Sequence, residues 1–308
     1  MKLYVSKINE SWIVDRLRKE WYQYNSDIST KFLSRCDLIW LISPWTWGKV
    51  SKKYLESKNV ICSIHHIDFD KFNDKKVKRE FYEREKFVNS YHVFSSSTEK
   101  QLKSISDKEI VKIPYWVNQN IWFYIPDKDN LRRKYGFKKN EYLVGSFQRD
   151  TEGYDLESPK LSKGPDIFIK KILNLSKEQK NLKVVLTGKR RNYVINELEK
   201  NNISFSYFEM VTLKALNELY NILDLYIVSS RVEGGPQAIL ECGISKTPII
   251  STRVGIADEI LDENSIVDFQ DQLGIPNPLL AYENTKEFCI PNGMNKFRKY
   301  FKSLLNEN

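Results

Sequence analysis

The chain has 308 residues, 41% of them hydrophobic and 13% aromatic, which fits one large or two smaller globular α/β domains and excludes a disordered chain. No apolar run approaches the roughly 18 residues of a membrane helix, and the first residues lack the apolar region of a secretory signal. The four cysteines match no zinc or redox spacing, so we expect them to be reduced in a cytoplasmic protein.

The net charge of +9 suits nucleic acid, an anionic membrane surface or phosphate-bearing substrates as partners. It also arises when nucleotide bias in a genome enriches lysine throughout a chain. The lysines here are spread along the sequence, apart from residues 71–84. We expect no nucleic-acid partner, and we keep a peripheral contact with an anionic inner membrane surface as a hypothesis.

The first part of the chain alternates short apolar runs with segments of helical spacing. Strands are predicted at residues 2–6, 37–43, 60–64, 91–94 and 111–114, and helices at 12–22, 49–58 and 71–90. Ser97 or Thr98 is the predicted N-cap of a further helix. The loop at 44–48 carries Trp45 and Trp47, which suit sugar stacking, membrane contact or packing between domains.

The rest of the chain repeats this alternation. Residues 115–140, with a basic patch at 132–134, are predicted to cross between two domains. Strands are predicted at 142–147, 183–188, 204–208, 221–228 and 247–252, and helices at 165–175, 192–200, 213–223 and 295–305, with one more that ends near 243. The pattern predicts two Rossmann-like α/β domains.

A turn with two glycines and two flanking carboxylates follows the strand predicted at 221–228. Gly234 and Gly235 let the backbone approach a ligand closely and leave its N–H groups open. Glu233 and Glu241 stand eight residues apart, one in the turn and one about two turns into the following helix. A strand, a turn, a helix and a strand form a βαβ unit, which binds ligands at the carboxyl end of the strand.

This stretch resembles the E-x7-E motif of retaining glycosyltransferases, in the EGGP variant of glycosyltransferase family 4. Residues 248–255 are similar to the family's PVIAS-x-VGG-x-PE run, with Glu259 at its end and Ile256 in place of the second glycine. The resemblance covers about residues 141–262. It is weaker over the first domain, which lacks a clear glycine-rich loop after its first strand.

The resemblance implies a GT-B fold, in which two Rossmann-like domains face each other across a cleft. Residues 1–118 would form the acceptor domain and residues 119–293 the donor domain, with residues 294–308 packing back on the first. The donor would be a UDP- or GDP-linked sugar, with no permanently bound cofactor. The acceptor would be a hydroxyl of a glycan, a lipid-linked sugar or a small molecule.

The resemblance also implies roles for the carboxylates and the turn between them. Glu233 would hold hydroxyls of the transferred sugar, and Glu241 those of the ribose, because a carboxylate accepts two directed hydrogen bonds from a diol. The turn would offer the helix N-terminus to an anion or a sugar oxygen through the backbone of Gly234, Gly235, Pro236 and Gln237. The alternative is a helix whose first-turn glutamate only complements the helix dipole.

Residues 144–150 and 160–165 resemble the family's VGR…KG element. By this resemblance Arg149 and Lys163 would reach the donor diphosphate, with Gly145 and Ser146 lining the approach. No acidic pair at a strand end suits a divalent metal, so the two cations would neutralise the leaving group. The alternative is a pair of surface cations that flank a helix.

Three further sets of residues have weaker signals. Lys189 and Arg190 follow a strand and suit either the nucleotide pocket or bulk solvent. His65 aligns with a family histidine near the reacting sugar, and His66 stands where many relatives have aspartate.

The function that the resemblance implies is metal-independent, retaining glycosyl transfer. A GT-B sugar-nucleotide epimerase or hydrolase, or a non-catalytic basic module that binds nucleotides or nucleic acid, is the alternative.

Overall fold

The structure, a computed structural model, describes residues 2–7, 13–267 and 273–306. The chain divides into two compact units: the first is Met1–Trp116 with Pro291–Asn308, and the second is Val117–Ile290. Each unit is built on a sheet of five parallel strands. None of the described helices has the length and apolarity that a membrane span requires.

The sheet of the first unit keeps its strands in chain order. Its strands are β1 (Leu3–Val5), β2 (Leu38–Leu41), β3 (Asn59–Ile64), β4 (Ser90–Val93) and β5 (Glu109–Lys112). Its helices are α1 (Ile13–Tyr24), α2 (Lys52–Ser57), α3 (Phe69–Phe72), α4 (Lys75–Glu85) and α5 (Ser96–Lys103). Strands β1, β2 and β4 are buried along their whole length, as expected for a parallel sheet with both faces covered.

Three local predictions for the first unit are wrong. The helix cap is Ser95, whose Oγ accepts from the Thr98 amide at 3.3 Å. The helix predicted at 71–90 is two helices, because the Asp74 carboxylate caps the start of α4. The aromatic loop is a 3-10 turn, Pro44–Lys49, and within it Trp47 packs on the ring of Phe87 at 6.0 Å.

The second unit has the strand order β10-β9-β6-β7-β8. Its strands are β6 (Tyr142–Ser146), β7 (Leu182–Thr187), β8 (Phe205–Phe208), β9 (Leu225–Val228) and β10 (Ile249–Ser251). Its helices are α6 (Lys128–Lys134), α7 (Pro165–Glu178), α8 (Asn192–Lys200), α9 (Leu213–Ile222), α10 (Gln237–Ser245), α11 (Ala257–Ile260) and α12 (Pro278–Thr285). The strand order reverses beside β6, so the loops after β6 and β9 open a crevice of the kind that binds ligands.

The boundary between the two units falls inside residues 115–140, the segment predicted to cross between domains, and most of that segment belongs to the second unit. It contains α6, and Arg132, the first residue of its basic patch, is buried. The Arg132 guanidinium pairs with Asp224 at 2.5 Å and donates to the carbonyl of Ile222 at 2.9 Å. A buried cation needs such partners, so this arginine holds α6 against the end of α9.

The last helix, α13 (Asn292–Asn306), belongs to the first unit. Its Phe297 and Phe301 lie 5.4 Å and 5.1 Å from the ring of Trp40. The Tyr300 hydroxyl donates to Ser90 Oγ at 2.7 Å, which ties the helix to β4. All four cysteines are free thiols, and three of them are buried.

A chain of buried hydrogen bonds crosses the first sheet. Trp40 Nε1 donates to Ser63 Oγ, and Ser63 Oγ lies 2.8 Å from His92 Nδ1. His92 Nε2 donates to the carbonyl of Ile113 at 2.7 Å, so Nδ1 is the acceptor and the ring is neutral. Burial lowers the pKa of His92 from its usual 6.5 to about 3.

This lowered pKa predicts that acid destabilises the first unit. Below pH 6.5 the unfolded state takes up a proton that the folded state refuses until about pH 3, so stability is full above pH 6.5 and falls on acidification. At about 1.4 kcal/mol per pH unit, the loss by pH 5 is about 2 kcal/mol. His92→Gln cannot be protonated and should remove that loss.

Urea unfolding monitored by tryptophan fluorescence measures the effect, because six of the seven tryptophans precede Val117. The free energy of unfolding is compared at pH 7.5 and pH 5. His66→Gln, a change at an exposed histidine, is the matched control. Equal pH dependence in His92→Gln and the wild type would contradict the prediction.

Candidate functional site

The site begins where β9 ends at Val228 and the chain turns into α10. The Thr252 amide donates to the carbonyl of Val228 at 2.9 Å, and the Thr252 hydroxyl donates to the carbonyl of Ser230 at 2.5 Å. The start of the turn is therefore fixed to the residues that follow β10.

Gly255 allows these two segments to pack together. Its φ of +58° is a left-handed conformation. A Cβ at this position would fall 2.6 Å from Pro236 Cδ and 2.9 Å from the carbonyl oxygen of Gly234. Only glycine fits so close to the turn, and the run after β10 therefore serves as its support.

A second close approach joins the turn to the loop after β6. Gly164 has a φ of +60°, and a Cβ there would lie 1.8 Å from the carbonyl oxygen of Ser229. The amides of Arg231 and Val232 donate to the carbonyl of Ser162 at 2.9 Å and 3.1 Å. These backbone contacts hold the short 3-10 turn Leu161–Lys163 against the end of β9.

The same contacts bring together two predicted residues that are 70 positions apart. Lys163 Nζ donates to Glu233 Oε1, and the two side chains are 20% and 14% exposed. This pair is thus half-buried at the carboxyl ends of β6 and β9. It places a cation and a carboxylate, each with some access to solvent, beside the start of α10.

Two residues that the sequence analysis missed support this pair. Gln148 Nε2 donates to the carbonyl of Lys163 at 3.0 Å, and Ser230 Oγ donates to Gln148 Oε1 at 3.2 Å. Ser230 Oγ also lies 3.4 Å from Glu233 Oε1. Their signal in the sequence is only their position directly after a strand, which many polar residues share.

Glu241 lies in α10 and is buried. Its Oε2 accepts from the hydroxyl of Tyr220 at 2.9 Å. Tyr220 in turn packs on the rings of Phe147 and Tyr226 at 4.9 Å and 5.3 Å. Burial raises the pKa of Tyr220 well above its usual 10, so the hydroxyl stays a donor and holds the carboxylate in one orientation.

The glycine-bearing turn is well packed at the start of α10. Gly234 and Pro236 are buried, and Gly235 and Gln237 are half-buried. Gln237 Oε1 is fully enclosed, and no hydrogen-bond donor reaches it from the residues that the structure describes. A buried acceptor of this kind needs a donor from a ligand or from water.

The residues after β6 and β7 differ in their exposure. Arg149, Lys189 and Arg190 are exposed, whereas Ser146 is buried at the end of its strand. Gly145 lies inside β6, where a Cβ would fall 2.3 Å from Leu223 Cδ1. The absence of a side chain at Gly145 therefore serves packing under the sheet.

A buried ion pair that the sequence analysis also missed fixes the two strand ends. Arg191 is 1% exposed, and its Nε donates to Asp150 Oδ2 at 2.7 Å. Its guanidinium also donates to the carbonyls of Ser146 and Thr187, the last residues of β6 and β7. Burial raises the pKa of Asp150, and the arginine beside it opposes that shift.

The predicted histidines belong to the first unit. His65 Nε2 lies 2.9 Å from the carbonyl oxygen of Ile42 and 3.0 Å from Ser43 Oγ. Its ring packs 4.9 Å from that of Phe94, and Trp45 lies 6.0 Å away. His66 is exposed. His65 is therefore oriented by the ends of β2 and β4.

One family model matches part of the chain. Residues 127–273 match the family model described as Glycosyl transferases group 1. This range holds the whole site of the second unit described above. No curated protein matches the chain in sequence.

Solved structures resemble the whole chain. HepE of Anabaena, solved with UDP and glucose, has a TM-score of 0.73 at 12% identity, covering 98% of each chain. Sucrose-phosphate synthase of Thermosynechococcus elongatus has a TM-score of 0.67 at 13% identity, covering 98% of this chain and 81% of its own. The pneumococcal O-GlcNAc transferase GtfA, solved with UDP and GlcNAc, has a TM-score of 0.57 at 15% identity, covering 87% and 57%. With the two parallel sheets, these likenesses confirm the predicted GT-B fold.

The Arg191–Asp150 pair yields a prediction about stability. Arg191→Met should cost about 3–5 kcal/mol, because it leaves a carboxylate buried without its cation. The double variant Asp150→Leu with Arg191→Met should recover part of that loss, since no charge remains buried. Denaturant unfolding followed by circular dichroism measures both, and Arg133→Met, at an exposed arginine of the same unit, is the control. A double variant no more stable than Arg191→Met would argue against a buried charge effect.

Proposed function

We propose that the chain is a retaining glycosyltransferase of family 4 that moves a sugar from a nucleoside diphosphate sugar to a hydroxyl acceptor without a metal. One observation carries this proposal: Lys163 and Glu233 meet beside the start of α10, about one helical turn before the buried Glu241. Glu233, Lys163 and Glu241 match in turn the sugar, the diphosphate and the ribose of a nucleotide sugar.

Each polar group is assigned to one part of the donor molecule, as the resemblance implies. Glu233 holds hydroxyls of the sugar, and the enclosed Oε1 of Gln237 accepts one more hydroxyl from it. Glu241, oriented by Tyr220, holds the ribose. Lys189 and Arg190 stand exposed after β7, on the side proposed for the nucleotide.

The leaving group requires positive charge. Lys163 and the exposed Arg149 supply it, together with the N–H groups at the start of α10. Among the residues that the structure describes, no group of three histidine, cysteine or acidic side chains is placed to hold a metal ion. Lys163 is held on Glu233 in this structure, and the diphosphate would compete for its ammonium group.

The reaction then needs no protein nucleophile. The acceptor oxygen bonds to the anomeric carbon on the face from which the diphosphate leaves. The bond between that carbon and the phosphate oxygen breaks, and its electron pair stays on the phosphate. The departing oxygen takes the acceptor proton, so the products are the glycoside and the nucleoside diphosphate.

The solved relatives favour uracil as the donor base. HepE was solved with UDP-glucose, and GtfA with UDP and GlcNAc. A UDP-sugar is therefore the first donor to test, with GDP-sugars as the alternative. Residues 1–118 and 294–308 are proposed as the acceptor domain and residues 119–293 as the donor domain. His65 and His66 stay proposed sugar contacts on the family resemblance alone.

Donor turnover tests the function. Lys163→Ala and Glu233→Gln should each lower transfer or hydrolysis of the best donor about 100-fold or more, because each removes a group that acts on the leaving diphosphate or the sugar. UDP-glucose, UDP-GlcNAc and GDP-mannose are screened by release of the nucleoside diphosphate. Lys180→Ala, at an exposed lysine of the same unit, is the control.

Four results would overturn parts of this proposal. Full turnover in either site variant would remove the assigned roles. Turnover that no hydroxyl acceptor stimulates would indicate a hydrolase or an epimerase. An inverted anomeric centre in the product, or loss of activity with EDTA, would contradict retention or metal independence.

We also propose that the protein works in the cytoplasm, with the first unit on an anionic inner membrane surface. A basic surface, formed by the exposed residues Lys71, Lys75, Lys76, Lys78 and Arg79, surrounds the start of α4. A row of packed aromatic rings connects this surface to the core. The ring centroids of Phe81 and Phe72 are 5.5 Å apart, and those of Phe72 and Phe69 are 6.2 Å apart. Phe69 and Val77 are 40% and 41% exposed, which suits an interface with both charge and an apolar phase.

Vesicle binding tests the membrane contact. At about 1 kcal/mol per basic side chain, the triple change Lys75→Ala, Lys76→Ala and Lys78→Ala should weaken binding to phosphatidylglycerol vesicles roughly 100-fold. Pure phosphatidylcholine vesicles should bind neither protein. A matched triple change at exposed lysines of the second unit, Lys177, Lys180 and Lys200, should have little effect. Binding to an oligonucleotide in place of vesicles would favour a nucleic-acid partner.

A further inference from the structure

The chain between Arg149 and Lys163 forms a small arm that projects from the site. Thr151 pairs with Pro159 in an antiparallel bridge, and the Glu152 amide donates to the carbonyl of Ser158 at 3.0 Å. We call residues 151–159 the hairpin. It begins two residues after Arg149, one proposed diphosphate cation, and ends four residues before Lys163, the other.

The base of the hairpin is rigidly held. Asp150 is buried on Arg191, and Thr151 is fully buried. The amides of Asp150 and Lys160 donate to the carbonyl of Arg190 and of Asp150 at 3.0 Å and 2.7 Å. A segment anchored in this way keeps its direction relative to Lys163 and Glu233.

The tip of the hairpin presents apolar side chains to solvent. Tyr154 is 106% exposed, so its ring is as open to water as in an isolated peptide. Leu156 is 38% exposed and has a φ of +60°, a left-handed conformation that a leucine rarely adopts. Single apolar residues scattered on a surface need no explanation. Here two exposed apolar side chains, one of them on a strained backbone, stand together at the tip of an anchored hairpin.

The hairpin is acidic in a basic chain. Glu152, Asp155 and Glu157 give it three carboxylates, while the whole chain has a net charge of +9. The side chain of Asp155 accepts from the amide and the hydroxyl of Ser158, and this hydrogen bond lowers the pKa of Asp155. The tip is therefore negatively charged at neutral pH, and it repels an anionic ligand.

We propose that the hairpin is a binding subsite for a neutral sugar ring of the acceptor. The tyrosine ring offers an apolar face to the C–H face of a pyranose, and nearby carboxylates accept hydrogen bonds from its hydroxyls. That the bound sugar belongs to an acceptor rests on the proposed glycosyl transfer, whereas the affinity for a sugar rests on the hairpin alone. The subsite would be a contribution of the proposed donor domain to acceptor binding, since it starts beside Arg149 at the proposed diphosphate end of the donor site.

Saturation-transfer NMR with maltose and cellobiose tests the subsite without any turnover. Wild type and Tyr154→Phe, which keeps the ring, should transfer saturation to the sugar C–H protons. Tyr154→Ala should lower that transfer at least threefold. Tyr124→Ala, at a half-exposed tyrosine of the same unit, is the matched control and should behave as wild type.

The thermal shift caused by UDP is measured on the same four proteins. It should be equal in all of them, because the hairpin tip is not assigned to the donor. Equal saturation transfer in Tyr154→Ala, or none in wild type, would overturn the subsite. Stronger transfer to a uronic-acid disaccharide would overturn its preference for a neutral ring. A missing UDP shift beside an intact sugar effect would instead count against the proposed function.

Discussion

The contact of Gly164 with the carbonyl of Ser229 is the constraint on which the site of the second unit depends. No side chain fits between the two backbones, since a Cβ would lie 1.8 Å from that oxygen. This contact brings the loop after β6 against the turn after β9, so that Lys163 meets Glu233. Gly255 allows a similar close approach between the turn and the residues after β10. Two glycines thus let neighbouring backbones pack directly against each other, which a side chain at either position would prevent.

Buried polar groups then make this arrangement rigid. Arg191 joins the carboxyl ends of β6 and β7, and Arg132 joins α6 to the end of α9. Tyr220 orients Glu241, and His92 spans two strands of the first sheet. Each group costs free energy to bury and is therefore matched to partners in one geometry. The buried polar groups fix the positions of the strand ends. In this class of fold, ligands bind at the carboxyl ends of the strands.

Charge is distributed unevenly over the described residues. The basic surface at the start of α4 offers cations around an exposed apolar rim, which matches an anionic interface. The hairpin offers carboxylates and a tyrosine ring, which match a neutral sugar. In the second unit, Lys163 and Arg149 are the cations of the proposed diphosphate site. The net charge alone conceals these differences, although the basic run at residues 71–84 already stands out in the sequence.

The sequence by itself determined the α/β class and the places of all ten described strands, because buried parallel strands are continuous apolar runs. The GT-B fold was implied by the family resemblance of the glycine-bearing turn. It did not show α6, the Ser95 cap or the break before α4, since caps and helix ends depend on single hydrogen bonds. Among site residues, Lys163, Glu233 and Glu241 stood in a recognisable pattern. Arg191, Gln148 and Tyr220 did not, because their roles arise only where distant strand ends meet. Tertiary structure alone decides such contacts.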